Sequence, residues 1–264
     1  MLLLSVKEIW KSFGGLTALR NISFDVKQGD IKALIGPNGA GKTTLLNIVG
    51  GIHQPDKGEV IFLGERIVHL SPAKIAQKGV SRTFQHVELF GNMTVVENVM
   101  VGRYAKTKTG FFSSGFRLPS IMKEEREVQR KSEEILEYVN LVHRKDEIAS
   151  NLPIGEQRIL EIARALATEP QLVLLDEPAA GLNIKETREL GEIIRRIRGE
   201  LKITIVLVEH DMDLVMKISD SITVLNFGEI IAEGTPLEVQ KNPEVIVAYL
   251  GEEEELQTGY NADT

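Results

Sequence analysis

The chain has 264 residues, of which 42% are hydrophobic and 26% charged, a balance typical of a folded globular protein. Its formal net charge of −7 gives no electrostatic support for a role in coating DNA or RNA. Cysteine is absent, which excludes disulfides, thiol nucleophiles and thiolate metal sites. No apolar run reaches the length of about 18 residues that a membrane span needs, and the short apolar start predicts a strand rather than a signal peptide.

Short apolar runs near the start predict strands that lead into a glycine-rich loop. They cover residues 2–9, 22–26 and 31–35, and the last run ends at Gly36. A helix is expected over 44–49, directly after the loop. This order of strand, loop and helix is typical of the start of an α/β core.

The loop itself matches the pattern G-x-x-x-x-G-K-[ST]. It reads Gly36-Pro37-Asn38-Gly39-Ala40-Gly41-Lys42-Thr43, and Thr44 follows it. Glycines let backbone N–H groups turn towards an anion without a clash at Cβ, and the helix N-terminus adds a favourable dipole. Lys42 can reach the β- and γ-phosphates, while Thr43 can offer its hydroxyl to Mg²⁺. The segment from Gly36 to Thr44 is therefore predicted to bind nucleotide phosphates.

A second, helical region is predicted to follow this core. A strand over 59–63 and a helix opened by Ser71-Pro72, with Ser71 as N-cap, complete the first part. From about residue 86 to 150 the charge becomes dense and strand patterns disappear. We expect a polar helix over 123–140 in this region, with a Ser/Gly/Phe loop over 106–119 before it.

The α/β pattern resumes after Gly155. The predicted elements are a helix over 156–168, strands over 172–175 and 203–208, a helix from a capping box at Asn183 to Arg198, a hairpin of 221–225 with 230–232, and a short helix opened by a second capping box at Thr235. The tail after Gly251 is acidic and is predicted to be disordered.

Two carboxylates end the predicted strand over 172–175. They are Asp176 and Glu177, and they follow a continuous apolar run that indicates a strand covered on both faces. In a protein with a phosphate-binding loop, Asp176 can hold Mg²⁺ through its water shell. Glu177 is then placed to polarise an attacking water molecule. Together with the loop, these residues predict nucleotide hydrolysis.

With these motifs, essentially the whole chain resembles the ATP-binding cassette (ABC) superfamily, and the resemblance implies ATP and Mg²⁺ as ligands. Phe13 matches the aromatic residue that stacks on adenine, and Gln85 matches the glutamine that senses Mg²⁺. His210 matches the switch histidine that contacts the γ-phosphate, and 180–183 lies where the D-loop belongs. The resemblance implies catalytic roles for Glu177, His210 and Gln85, and metal binding by Thr43, Gln85 and Asp176.

One motif departs from the family. The usual signature loop reads Leu-Ser-x-Gly-Gln, whereas this chain reads Leu152-Pro153-Ile154-Gly155-Glu156. In the family this loop closes over the γ-phosphate held by the other subunit, and Gly155 keeps its N–H at a helix start. Pro153 removes a hydroxyl and an N–H donor, and Glu156 adds negative charge near the triphosphate. We expect a weakened but functional contact to ATP through Gly155 and Glu156.

The implied fold is an α/β P-loop NTPase core of the ABC ATPase type, with an N-terminal antiparallel β subdomain and an inserted helical subdomain. The cassette would span 1–251, with its core and β subdomain over about 1–85 and 160–251 and its helical lobe over about 86–159. The tail would be 252–264.

Segments such as Arg82-Thr83-Phe84-Gln85-His86 and Val247-Ala248-Tyr249-Leu250-Gly251 resemble the LivG-type ATPase subunits of branched-chain amino-acid importers. The resemblance implies head-to-tail pairing with a second copy or a LivF-type cassette. It also implies transmembrane permease subunits and, indirectly, an extracytoplasmic substrate-binding protein as partners. The chain would then lie at the cytoplasmic face of the plasma membrane, and no nucleic-acid partner is expected.

Three alternatives remain open from the sequence. The ATPases of lipopolysaccharide exporters look similar throughout the core. A non-transport ABC ATPase of the DNA-repair or ribosome type is disfavoured, because this chain has neither a long coiled-coil insertion nor a second cassette. A small-molecule kinase is disfavoured by Gln85, His210 and the signature-like loop.

Overall fold

The computed structural model describes residues 1–104 and 119–249. The Ser/Gly/Phe loop before Pro119 and the predicted disordered tail lie outside the described residues. Numbered along the chain, the strands are β1 (Leu2–Phe13), β2 (Leu16–Lys27), β3 (Ile31–Ile35), β4 (Lys57–Phe62), β5 (Glu65–Arg66), β6 (Val80–Arg82), β7 (Leu172–Asp176), β8 (Thr204–Val208), β9 (Ser221–Asn226) and β10 (Glu229–Gly234). The helices are α1 (Lys42–Val49), α2 (Pro72–Gln77), α3 (Val95–Tyr104), α4 (Pro119–Tyr138), α5 (Ile154–Leu166), α6 (Ile184–Glu200), α7 (Met212–Ile218) and α8 (Pro236–Gln240).

The strands form two sheets. A four-stranded antiparallel sheet has the order β2-β1-β4-β5, and a six-stranded sheet has the order β10-β9-β3-β8-β7-β6. In the larger sheet β6, β7, β8, β3 and β9 are parallel neighbours, and only β10 runs antiparallel to its neighbour β9. This arrangement confirms the predicted α/β core beside an antiparallel β region.

The central strands β3, β7 and β8 are buried along their whole length because both of their faces are covered. In β7, Val173 and Leu175 pack into a core shared with the helices α5 and α6, whereas Leu172 and Leu174 pack into the core under the antiparallel sheet. Successive side chains of a strand point to opposite faces, so two cores require an unbroken apolar run. The apolar run over 172–175 is explained by the burial of both faces of β7.

The strands β1 and β2 are longer than the apolar pattern predicts. The pairing of β1 with β2 shifts register between Val6 and Ile9, where Glu8 has a φ of 49°. Gly58 fits against this bulge, since a Cβ there would lie 2.4 Å from the carbonyl oxygens of Lys7 and Glu8. A bulge interrupts the alternation of side chains. Two further register shifts follow Ile9, and no residue of β1 after Ile9 is buried, which is why the apolar pattern ends at residue 9 although the strand continues to Phe13.

The described part of the predicted helical region contains α3, α4, two short 3-10 helices (Val142–Arg144 and Ala149–Asn151) and the start of α5. Its β structure among these residues is one isolated bridge, between Thr94 and Ile148. Both predicted capping boxes are present, at Asn183 and at Thr235. Ser71 holds the N-cap position of α2, but its side chain makes no capping hydrogen bond within the described residues. Across 1–104 and 119–249, no helix combines the length and apolar character that crossing a membrane requires.

Candidate active site

The loops after β3, β7 and β8 meet at one edge of the larger sheet. The strands lie in the order β3-β8-β7, and Val208 pairs in register with both Leu34 and Asp176. The carboxyl ends of parallel strands face the same way, so the loops after them form one crevice. The phosphate loop, Glu177 and His210 therefore lie at a common edge.

The conformation of the phosphate loop requires its first glycine. Gly36 has a φ of 146°, and a Cβ at this position would lie 2.0 Å from the carbonyl oxygen of Leu225. The helix α1 begins at Lys42, whose Nζ donates to the carbonyl oxygens of Gly36 at 2.6 Å and Pro37 at 2.8 Å. The lysine is thus held over the loop, at the N-terminus of a helix that favours anions.

A cavity of about 540 Å³ opens beside this loop. Its lining includes the predicted site residues Phe13, Asn38, Gly39, Ala40, Gly41, Lys42, Thr43, Thr44, Gln85, Glu177 and His210. Gly36 and Pro37 begin the loop, and their carbonyl oxygens accept from Lys42 Nζ. Asp176 is fully buried. The structure therefore gathers residues from distant parts of the chain around one cavity that is large enough for a nucleotide.

Glu177 lies between two other predicted catalytic residues. Its carboxylate accepts a hydrogen bond from Gln85 Nε2 at 3.1 Å and contacts His210 Nε2 at 3.1 Å. The backbone of Glu177 has a φ of 49°, and its N–H donates to the carbonyl oxygen of Val208 at 2.9 Å. A non-glycine residue at positive φ is strained, and such strain is concentrated at functional sites. This conformation turns the carboxylate out of the strand line into the cavity.

Asp176 forms a buried ion pair that the sequence did not reveal. Arg82 Nη2 donates to Asp176 Oδ2 at 2.9 Å, and Arg82 Nη1 donates to Asn47 Oδ1 at 2.8 Å. Burial raises the pKa of Asp176, although Arg82 opposes this shift. The sequence could have indicated this ion pair only through the basic residue Arg82 in β6. The contact itself depends on the pairing of β6 with β7.

The second oxygen of Asp176 is a candidate contact for a metal ion. Asp176 Oδ1 is buried and has no hydrogen-bond partner among the described residues. An orphaned carboxylate oxygen next to a phosphate site fits the oxygen-rich surroundings that Mg²⁺ prefers. Thr43 and Gln85, the other predicted metal contacts, both line the adjoining cavity. The residues present therefore fit a magnesium ion bound together with nucleotide phosphates.

Phe13 stands at the outer rim of the cavity. Its side chain is 44% exposed and packs edge-on against His53, with ring centroids 5.3 Å apart. Lys11 Nζ lies 5.2 Å from the centroid of the Phe13 ring. An exposed aromatic ring outside the core is available for stacking on a base.

The signature-like loop lies apart from the phosphate loop of the same chain. Gly155 and Glu156 line a separate cavity of about 250 Å³ with residues of the α6 N-terminus. Glu156 forms an ion pair with Arg144, whose Nε lies 3.2 Å from Glu156 Oε2. Arg144 also pairs with Glu147 at 2.8 Å. Because one guanidinium serves two carboxylates, Arg144 offsets only part of the negative charge expected at Glu156. The sequence pattern did not identify this contact.

Comparison with known families shows which family the chain belongs to. The profile of the ABC transporter family matches residues 19–180. The chain belongs to the ABC transporter family. A second profile, that of the branched-chain amino acid ATP-binding cassette transporter, matches residues 229–255 of this cassette.

Named relatives cover nearly the whole cassette. It is 47% identical over 250 residues to the high-affinity branched-chain amino acid transport ATP-binding protein LivG of Escherichia coli K12. The aligned residues cover 95% of this chain and 98% of that relative. It is 46% identical to BraF of Pseudomonas aeruginosa over the same shares. A sulfate/thiosulfate import ATP-binding protein, CysA of Pseudomonas syringae, is 36% identical over 97% of this chain and 75% of its own length.

Solved structures agree with the fold of the cassette. A nucleotide-free ATP-binding cassette from an ABC transporter superposes with a TM-score of 0.83 at 34% identity, covering 94% of this chain and 99% of the other. A dimeric cassette bound to ADP and Pi in a post-hydrolysis state superposes with a TM-score of 0.76 at 25% identity, covering 89% and 99%. The predicted fold class is confirmed. The chain is an ATPase of the ABC type, and cassettes of this fold bind ATP or ADP and form dimers.

A Phe13→Ala variant is expected to bind ATP about 5- to 100-fold more weakly, because stacking on an aromatic ring contributes about 1–3 kcal/mol per base. Inorganic triphosphate has no base, so its affinity should not change. Isothermal titration with both ligands makes this comparison. Equal weakening for ATP and triphosphate would show that Phe13 acts on the phosphate loop and not on adenine.

The Pro153→Ser/Glu156→Gln double variant is expected to raise ATP turnover by about two- to fivefold, since a charge at a helix N-terminus changes binding by about 0.3–1 kcal/mol. The change restores an N–H donor and removes a carboxylate from the loop that the family resemblance predicts to close over the γ-phosphate held by the other subunit. Steady-state phosphate release measures the effect. Glu147→Gln, which alters the other partner of Arg144, is the matched control, and unchanged turnover in the double variant would contradict the prediction.

Proposed function

We propose that the chain is the ATP-hydrolysing motor subunit of a branched-chain amino-acid importer. The observation that supports this most strongly is the 47% identity to LivG, which extends over 95% of this chain. The match of the branched-chain amino acid cassette profile at residues 229–255 lies outside the catalytic motifs and supports the same branch. The exporter alternative gains no support from these relatives.

The proposed mechanism requires two cassettes. One chain supplies the phosphate loop of a site, and Gly155 and Glu156 of the other chain close over the γ-phosphate. Within a single chain these elements line different cavities, so a complete site needs a partner. That partner is a second copy or a LivF-type cassette. ATP then favours the closed pair over the open one, because both halves grip the same phosphate.

Each residue of the proposed site has a defined task. The loop from Gly36 to Thr44 holds the phosphates, and Phe13 holds adenine. Thr43, Gln85 and Asp176 would hold Mg²⁺, which neutralises charge on the phosphates when it is bound. Glu177 accepts a proton from the attacking water, and His210 contacts the γ-phosphate.

The proposed setting is the cytoplasmic face of the plasma membrane, where the chain binds transmembrane permease subunits peripherally. Through them it serves an extracytoplasmic substrate-binding protein. The proposed division of the cassette over 1–251 keeps the core and β subdomain at about 1–85 and 160–251, and the helical lobe at about 86–159. The two sheets and the helices α3 and α4 support this division, while α5 runs across its boundary at residues 159 and 160.

We place the permease contact on the segment after Gln85. Phe90 is 46% exposed, and the Arg164 guanidinium lies 5.7 Å from its ring centroid. Leu89, by contrast, packs against the core, so only part of this apolar segment is available to a partner. An exposed aromatic residue beside a cation is a common feature of protein interfaces.

A Phe90→Glu variant is expected to lose at least tenfold in permease affinity, since truncating or charging an aromatic anchor costs about 2 kcal/mol or more. Its ATP affinity and melting temperature should match those of the wild type. Co-purification of the permease subunits with the tagged chain measures docking. Leu237→Glu, at a position in α8 that is 61% exposed, serves as the control. Undiminished co-purification of Phe90→Glu would rule out this contact.

The transport function is tested in the source cells by replacing the chromosomal gene with a Glu177→Gln version. Uptake of labelled leucine, isoleucine and valine is expected to fall at least tenfold, while uptake of lysine stays unchanged. Glu65→Gln, an exposed position on β5, is the matched control. Unaltered uptake of the three branched-chain amino acids would refute this assignment.

A further inference from the structure

A buried carboxylate lies outside the roles assigned so far. Glu209 follows β8 directly and is 3% exposed. Burial raises its pKa, and backbone hydrogen bonds oppose that shift. Keeping an acidic group in such a place costs free energy unless its oxygens are well bonded. Its contacts therefore indicate what the group is for.

The two oxygens of Glu209 bind two different loops. Oε1 accepts from the N–H of Ala179, in the loop after β7, at 2.6 Å. Oε2 accepts from the N–H of His210 at 3.0 Å and, at 3.4 Å, from that of Asp211, both in the loop after β8. The carboxylate thus joins the loop that carries Glu177 to the loop that carries His210.

We infer that Glu209 is a positioning residue that fixes His210 against Glu177 and ties both to the loop formed by residues 179–183. This inference depends on the proposed function in one respect, which is that His210 and Glu177 belong to the hydrolytic site. Because the loop over 179–183 leads into α6 beside the signature cavity, a shift of that loop moves the histidine with it. One carboxylate therefore links closure of the cassette pair to alignment of the site.

The chemistry of this link requires a carboxylate. All three of its donors are backbone N–H groups, and an ionised carboxylate offers acceptors on both oxygens. Glutamine has one carbonyl oxygen and one NH₂ group. In a Glu209→Gln variant the NH₂ group therefore faces the backbone N–H groups of one loop, and two donors cannot form a hydrogen bond. The variant keeps the size of the side chain while breaking one of the two attachments.

The first test is a double-mutant cycle on ATP turnover by the full chain. Glu209→Gln is expected to lower kcat about 10- to 100-fold with KM for ATP changed less than threefold, since small misplacements in a site reduce rates on this scale. In a His210→Ala background the same change should lower kcat less than threefold, because its effect passes through the histidine. A purely structural role would give equal losses in both backgrounds and would overturn the inference, as would a kcat within twofold of wild type.

A second measurement does not depend on turnover. Amide hydrogen exchange of Ala179 and His210 in the nucleotide-free chain is expected to become at least tenfold faster in Glu209→Gln, and unchanged exchange would overturn the link. Glu65→Gln is the control. If Glu209→Gln fails to fold, Glu209→Ala replaces it in both tests, since it removes the attachments to both loops. Failure of the proposed function would look different from failure of this inference. In that case the wild-type chain would show no ATP turnover, although its Ala179 amide would still be protected from exchange.

Discussion

A Glu177→Gln variant is expected to hydrolyse ATP about 10²- to 10⁴-fold more slowly than the wild-type chain, which is the usual contribution of a general base. Glu177 is the group best placed for this task. It follows β7, it has a φ of 49°, and its carboxylate lies 3.1 Å from both Gln85 Nε2 and His210 Nε2. Glutamine keeps the shape of the side chain but cannot accept the proton of water.

Phosphate release at saturating ATP and Mg²⁺ measures this effect, and a separate titration measures ATP affinity. Affinity should change little, because the phosphate loop and Phe13 are untouched. Glu65→Gln, which removes an exposed carboxylate that pairs with Lys78, should leave turnover unchanged. If Glu177→Gln kept more than a tenth of the wild-type rate, another group would have to serve as the base.

An Arg82→Ala variant is expected to destabilise the fold by about 3–5 kcal/mol, the usual result of removing one partner from a buried ion pair. The side chains of Arg82 and Asp176 are 9% and 0% exposed. Loss of the guanidinium leaves the Asp176 carboxylate without its cation and Asn47 Oδ1 without its donor. Both effects raise the free energy of the folded state.

Urea unfolding of the magnesium-free chain tests this prediction. The deficit should be largest at neutral pH. Burial already raises the pKa of Asp176, and Arg82 opposes this shift. Without Arg82 the folded state would bind the proton of Asp176 more tightly still. The stability of the variant should therefore rise as the pH falls through the pKa of Asp176 in its folded state. Arg130→Ala, which breaks a surface pair with Glu134 on α4, should cost less than about 0.5 kcal/mol. Equal stability losses in the two variants would contradict the account.

Local sequence patterns predicted the parts of the site that lie within single loops. The phosphate loop is predicted from one short segment, because its glycine spacing is specific. The acidic end of β7 is less specific alone, since Asp and Glu often end strands, and it indicates hydrolysis only together with that loop. The capping boxes at Asn183 and Thr235 are local in the same sense. Strand ends were less predictable, since β1 after Ile9 has no buried residue and shifts its register twice.

Contacts between distant segments could not be predicted from the pattern. The partners Arg82 and Asp176 are 94 positions apart, and Glu209 and Ala179 are 30 positions apart. Their meeting depends on which strands are neighbours and in which register. The compensation of Glu156 by Arg144 likewise became visible only once the chain was folded. The sequence indicated candidate groups for the chemistry, and the fold shows which other groups hold these candidates in place.

The most direct test of the shared-site mechanism is the solution mass of the Glu177→Gln chain, measured by light scattering after gel filtration, with and without ATP and Mg²⁺. Without the general base, ATP stays intact and the closed pair should accumulate. The account predicts an ATP-dependent change from monomer to dimer, by this chain alone or with a LivF-type cassette added. A chain that binds ATP but remains a monomer under both conditions would contradict it.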